Sequence, residues 1–170
     1  MSAIFVVGHS TRTIRNFIDL LEAHSVNLLV DIRTIPKSRH NPQFNEDVLK
    51  KKLNDNKIRY VHMKGLGGLR HHDKNSINLG WRNLSFRGFA DYMQTKEFDS
   101  SIKELIELSK AHTVAIMCAE GNPFRCHRSL VADALLVRHV KGLHISSKIS
   151  AREHVLTPFA KVKGKKITYP

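Results

Sequence analysis

The chain has 170 residues, with 28 Lys+Arg against 15 Asp+Glu and a formal net charge of +13. At 41% hydrophobic and 25% charged residues it suits a single globular domain (residues 1–170) with its own core, and it excludes a disordered or collagen-like chain. No apolar run approaches the ~20 residues that span a bilayer, the first residues lack a secretory pattern, and the two cysteines, Cys118 and Cys126, exclude a disulfide scaffold.

The expectation is therefore a cytoplasmic protein without a membrane. The positive charge points to polyanion partners, a phosphorylated small molecule or nucleic acid, although excess lysine also serves solubility alone.

In chain order, residues 3–7 (AIFVV) form the first apolar run, and Ile14, Phe17, Ile18 and Leu21 then recur at helical spacing, with Thr11 and Thr13 available as caps. A second run, residues 28–32 (LLVDI), precedes a helix that begins near Asn45 with Glu46 and Asp47 in its first turn, where the helix dipole favours acids. A third run covers residues 58–63. The stretch 64–86 then breaks the pattern with Gly65, Gly67, Gly68, Gly80 and the pair His71-His72, and reads as a long loop or lid. Phe89, Tyr92 and Met93 suggest a third helix, and Ile102, Leu105, Ile106 and Leu108 a fourth. A fourth run at 113–118 (TVAIMC) is followed by a helix through Leu130, Ala134, Leu135 and Val137 and a fifth run at 143–145. The lysine-rich residues 160–170 read as a basic hairpin or edge segment. Nearly continuous apolar strands alternating with helices predict an α/β, Rossmann-like three-layer fold with a mostly parallel sheet of about five strands.

In such a sheet, ligands bind beyond the carboxyl ends of the strands. Reactive residues collect at those ends: Gly8-His9-Ser10-Thr11 after the first strand, Asp31 and Arg33 after the second, His62 after the third, Cys118-Ala119-Glu120 after the fourth, and His144 in the fifth. The turn at Gly8 is suited to an anion, yet it lacks the dinucleotide fingerprint and the Walker lysine. Asp31 and Arg33 alternate, so they project from one side as a carboxylate beside a basic fork, or as a structural bridge. The loop from Pro36 through Lys37 and Arg39 to Pro42 reads as an anion-lining or a merely solvated segment.

The densest constellation is MCAEGNPFRCHRS, from Met117 to Ser129. Cys126 opens the last helix beside His127 and Arg128, an environment that favours a thiolate nucleophile. Glu120, at the low-dielectric sheet end, is expected to have its carboxyl raised toward neutrality and to act as acid or base. Cys118 reads better as a small buried hydrophobe. A tyrosine-phosphatase loop fails, because counting Cys-x5-Arg from Cys118 reaches Phe124, with Arg125 one place late. A zinc deaminase fails for want of the second cysteine pair, and no zinc-finger spacing is present, so no metal is assigned. Trp81 and Phe86 stack on a base or anchor the loop to the core, the latter being the simpler reading.

These ordered blocks, with Tyr60-Val61-His62, Leu66-Gly67-Gly68 and Phe89-Ala90-Asp91-Tyr92-Met93 between them and Thr168-Tyr169-Pro170 at the end, resemble the prokaryotic family catalogued as domain of unknown function 488. The resemblance implies a Rossmann-like domain and directs attention to Gly8, His9, Ser10, Asp31, Arg33, Gly67, Gly68, Cys118, Glu120, Cys126, His127 and Arg128, while naming no reaction.

The expected function is an enzyme, a hydrolase or transferase, acting on a phosphate-bearing nucleotide or nucleic-acid substrate at the strand ends. Glu120, Cys126, His127 and Asp31 would be catalytic, and Gly8, His9, Ser10, Arg33, Gly67, Gly68 and Arg128 would hold the anion. The alternative is a non-catalytic nucleic-acid or nucleotide binding module. A redox- or metal-responsive regulator using the cysteines and histidines is a weaker third. The sequence names no cofactor and is compatible with a homodimer.

Overall fold

The nearly continuous apolar runs at 3–7, 28–32 and 113–118 become strands covered on both faces. The computed structural model describes residues 2–170. It places β1 (Ala3–Gly8), β2 (Leu28–Asp31), β3 (Arg59–His62), β4 (Val114–Cys118), β5 (Lys141–Ser147) and β6 (Ser150–Glu153) in one sheet of order β3-β2-β4-β1-β5-β6. All neighbours pair in parallel except β5 with β6. The Rossmann-like three-layer fold is therefore present, with six strands instead of about five. The extra strand, Ser-Ala-Arg-Glu, is short and almost wholly exposed, so it carries no apolar signature; it caps the edge as an antiparallel return from β5.

Side chains alternate across the sheet and divide the core in two. Ile4, Val6, Leu28, Val30, Val114 and Ile116 face one layer, which is covered by α3 (Leu84–Tyr92), α4 (Lys96–Ala111) and α5 (Arg128–Leu136). Val7, Leu29, Ala115 and Met117 face the other, covered by α1 (Ile14–Ala23) through Phe17, Ile18 and Leu21 and by α2 (Glu46–Asp55) through Leu49 and Leu53. Thr13 caps α1 by accepting from the amide of Asn16, and Thr95 caps α4 by accepting from Phe98.

Helix α3 starts five residues before Phe89, the first apolar residue assigned to it from sequence, because the side chain of Asn83 accepts from the amides of Ser85 and Phe86 and nucleates a mostly polar first turn. The irregular segment before it opens with a 3-10 turn, Lys64–Leu66. It is tied down by Asp91 of α3, whose carboxylate accepts from the amide of Asp73, the hydroxyl of Ser76 and the amide side chain of Asn78. Arg70 lies over the Tyr92 ring at 3.6 Å.

The C-terminal lysines sit on an antiparallel hairpin of β7 (Lys161–Lys163) and β8 (Lys166–Thr168), turning at Gly164 with φ of 62°. Beyond it, Tyr169 is fully buried, its hydroxyl donating to Asp133 and its amide to Asn78.

Candidate functional site

Strand register decides what can meet. Gly8 pairs with Cys118, and Asp31 pairs with both His62 and Met117, so the ends of four parallel strands lie in one row. Beyond that row is a hollow of about 250 Å³ whose lining includes Arg33, Gly68, Cys118, Glu120, Arg125, Cys126 and His127. Six of the twelve residues expected from the motifs thus line a common space. The others stand behind it or beside it.

Arg33 is the fixed cation of the hollow. Its Nε and Nη2 donate to Asp31 at 2.9 and 2.7 Å, and Nη2 also donates to the Phe44 carbonyl at 2.8 Å. Nη1 is buried and has no partner among the described residues. Asp31 is fully buried and further accepts from the Arg33 amide and from the Tyr60 hydroxyl at 2.7 Å. Burial, with Asp31 and Glu46 beside it, pushes the Tyr60 hydroxyl up, so Tyr60 remains a donor. A carboxylate so saturated has no lone pair facing the hollow. Asp31 therefore serves as the anchor of Arg33, which corrects its expected role as acid or base. His62 supports the same loop by donating to the Arg33 carbonyl at 2.7 Å.

His127 donates its Nε2 proton to the carbonyls of Ile32 and Leu66 at 3.1 and 2.9 Å, which leaves Nδ1 as an acceptor 3.6 Å from the sulfur of Cys126. Burial lowers its pKa to about 4, against the raising effect of those two carbonyls. His127 is thus a neutral, oriented base beside a thiol. Gly68 makes the arrangement possible: a Cβ there would fall 2.5 Å from Nδ1 and 2.8 Å from Cγ of the ring. Gly67 stands outside the hollow, packed on Thr34, with its amide donating to Lys64.

The sulfurs of Cys118 and Cys126 meet at the hollow, bringing the end of β4 against the segment that leads into α5. Cys118 is buried, as expected of a small residue closing an apolar strand, and Arg128, 2% exposed, donates from Nη1 to its sulfur at 2.7 Å. Arg128 also donates to the carbonyls of Glu120 and Gly121. The guanidinium thereby braces the 118–121 turn from behind the hollow, with Nε left without a partner among the described residues. Burial pulls its pKa down to about 10, still high enough for a full charge at neutral pH.

Gly8 belongs to this brace, because a Cβ would overlap the Glu120 carbonyl and crowd Arg128. His9 is buried, stacks on Phe44 at 4.2 Å and donates from Nδ1 to the Ser10 carbonyl; desolvation lowers its pKa. Its Nε2 has no partner among the described residues. Ser10 takes a positive φ of 50° and packs beside Gly121. Neither His9 nor Ser10 lines the hollow. Glu120 does line it but is exposed, with Oε1 accepting from the Asn122 amide at 3.1 Å. The low-dielectric setting expected for that carboxyl is absent, since the turn directs it outward.

A second polar cluster lies apart from the hollow. Asp133, fully buried on α5, accepts from His154 Nε2 at 2.7 Å, from Thr157 and from Tyr169, and His154 Nδ1 accepts from His144 at 2.8 Å. Burial, the neighbouring His154 and Arg128 together lower His144 to about 4. Only His144 of this set was singled out from sequence; Asp133 sits in an apolar helical run and His154 in a polar segment without a motif.

Among the described residues no group of three or more His, Cys, Asp or Glu side chains is arranged to hold a metal, and no helix is long and apolar enough to cross a membrane. No curated protein and no solved structure matches the chain. The family model "Domain of unknown function DUF488" matches residues 13–135, a span running from the cap of α1 into α5 and containing every residue that lines the hollow. The chain belongs to the domain of unknown function 488 family.

Proposed function

We propose that the chain is an enzyme acting on a phosphate-bearing substrate, a nucleotide or nucleic acid, bound in the hollow beyond β2 and β4. The carrying observation is Arg33: a buried guanidinium locked on Asp31 and Phe44, lining the hollow with Nη1 unused. A pre-positioned planar donor suits a phosphate oxygen, and no side-chain entropy is lost on binding. Arg125, exposed at the same hollow, adds a second cation.

Within this reading, Glu120 takes the proton of the attacking water or hydroxyl as its oxygen bonds to phosphorus and the leaving oxygen departs. Cys126 is the alternative nucleophile. In that route the Cys126 proton passes to Nδ1 of His127 as the sulfur bonds to phosphorus and the leaving oxygen departs.

The weak basicity of buried His127 favours the second reading, a module that binds such a ligand without turning it over. Assays of phosphomonoester, phosphodiester and nucleotide hydrolysis, with and without reductant, separate the two. Turnover lost in Glu120→Gln or Cys126→Ser supports catalysis. Turnover unchanged in both variants contradicts the assigned roles.

A further inference from the structure

The anion hollow does not end at Arg125. That residue and Phe86 also line a larger groove of about 630 Å³, together with Trp81, Arg82, Asn83, Phe124 and Phe159. Trp81 is held in place, with Phe86 against it at 5.0 Å, Phe159 at 4.9 Å and Tyr169 at 5.5 Å between ring centroids. The anchoring role expected for Trp81 and Phe86 is therefore real, and it makes a rigid wall. Phe124 is the opposite case. It is 79% exposed, on the 3-10 turn Pro123–Arg125, and its ring packs on no other aromatic ring among the described residues. Burying such a side chain is worth about 1.5–3 kcal/mol, so the fold forgoes that stabilisation here. The turn is held by the Asn122 side chain accepting from the Phe124 amide and by Arg128 donating to the carbonyls of Glu120 and Gly121. Arg82 and Arg125 flank the aromatics, and neither has an acidic partner among the described residues.

We infer that this groove is a base-stacking subsite for single-stranded nucleic acid, with an unpaired base against Phe124 and Trp81 and its phosphate reaching Arg125 and Arg33. The inference rests on the phosphate reading of the hollow. Aromatic faces accept any base, arginines follow the backbone, and a net charge of +13 favours a polyanion over a single nucleotide. An uncharged apolar ligand would leave both arginines without a counter-charge.

Trp81 is the only tryptophan, so its emission reports the groove alone. The test is a fluorescence titration of the full chain with short oligothymidylate, with the matching duplex, with thymidine monophosphate and with inorganic phosphate. Expected are quenching of Trp81 by the single strand, weaker binding of duplex and mononucleotide, and about a tenfold loss of strand affinity in Phe124→Ala that Phe124→Tyr restores. Phe124→Ala should leave phosphate affinity, read by calorimetry, unchanged. Because Phe124 is exposed, its removal spares the fold. Strand binding without quenching and indifferent to Phe124→Ala overturns the subsite while the phosphate reading stands. Equal affinity for mononucleotide or duplex overturns the single-strand assignment. Absence of binding by strand and phosphate alike overturns both.

Discussion

Arg128 donates from inside the protein to the sulfur of Cys118, 2.7 Å away, while its other donors hold the carbonyls of Glu120 and Gly121. One buried guanidinium therefore fixes the turn that presents Glu120, Phe124 and Arg125. Arg128→Met removes those charge-assisted bonds and leaves two carbonyls short of donors. Urea unfolding should show a loss of about 2–4 kcal/mol.

The pairing of Asp31 with Arg33 yields a second expectation. Both are buried and each satisfies the other, so Asp31→Ala strands a cation in the core. The expected cost is about 3–5 kcal/mol, read by urea or thermal unfolding, and a larger effect than any exposed carboxylate such as Glu107 would give.

The pH dependence follows from His127 and His144, both held near 4 by burial. Unfolding frees each imidazole to titrate near its ordinary value of 6.5. Between about pH 6.5 and 4 the unfolded chain therefore binds more protons than the folded one. The stability contributed by the neutral rings is complete above that window and is lost as pH falls through it. Unfolding free energies measured from pH 8 to 4 should decline on the acid side, and His127→Gln should flatten the decline. Ring signals of His127 in nuclear magnetic resonance should stay those of the neutral form at pH 5.5.

The placement of Cys126 beside His127 predicts unequal thiol reactivity. Protein kept in reductant should present two thiols to an alkylating reagent, with Cys126 the faster because His127 Nδ1 faces it. Gly68→Ala should slow that alkylation, since the added methyl displaces the His127 ring.

Much of this was legible in residue patterns. The runs ending at Gly8, Asp31 and Cys118 are apolar on both faces, so the parallel sheet could be read directly. Which polar residues face the hollow could not. Asp31 and Arg33 occur one residue apart on the same side, yet only the packing of Tyr60 and Phe44 around them shows that the acid is saturated while the buried arginine keeps one nitrogen without a partner among the described residues. Likewise Arg128 reads as an anion binder in a Cys-His-Arg motif, and becomes a brace only because the 118–121 turn folds back over it. Strand β6 and the Asp133–His154–His144 chain escaped because their residues carry neither periodicity nor motif, and long-range packing alone brings them together.

The central claim is that Arg33 offers Nη1 to a phosphate in the hollow. Arg33→Lys keeps the charge against Asp31 while removing that third nitrogen. The direct measurement is a calorimetric titration of inorganic phosphate into the parent protein and this variant. The account predicts binding by the parent and about a tenfold weaker affinity in Arg33→Lys, read below that variant's melting temperature, which falls because lysine cannot reproduce the two-nitrogen pairing with Asp31. No binding by the parent, or equal affinity in both, would contradict it.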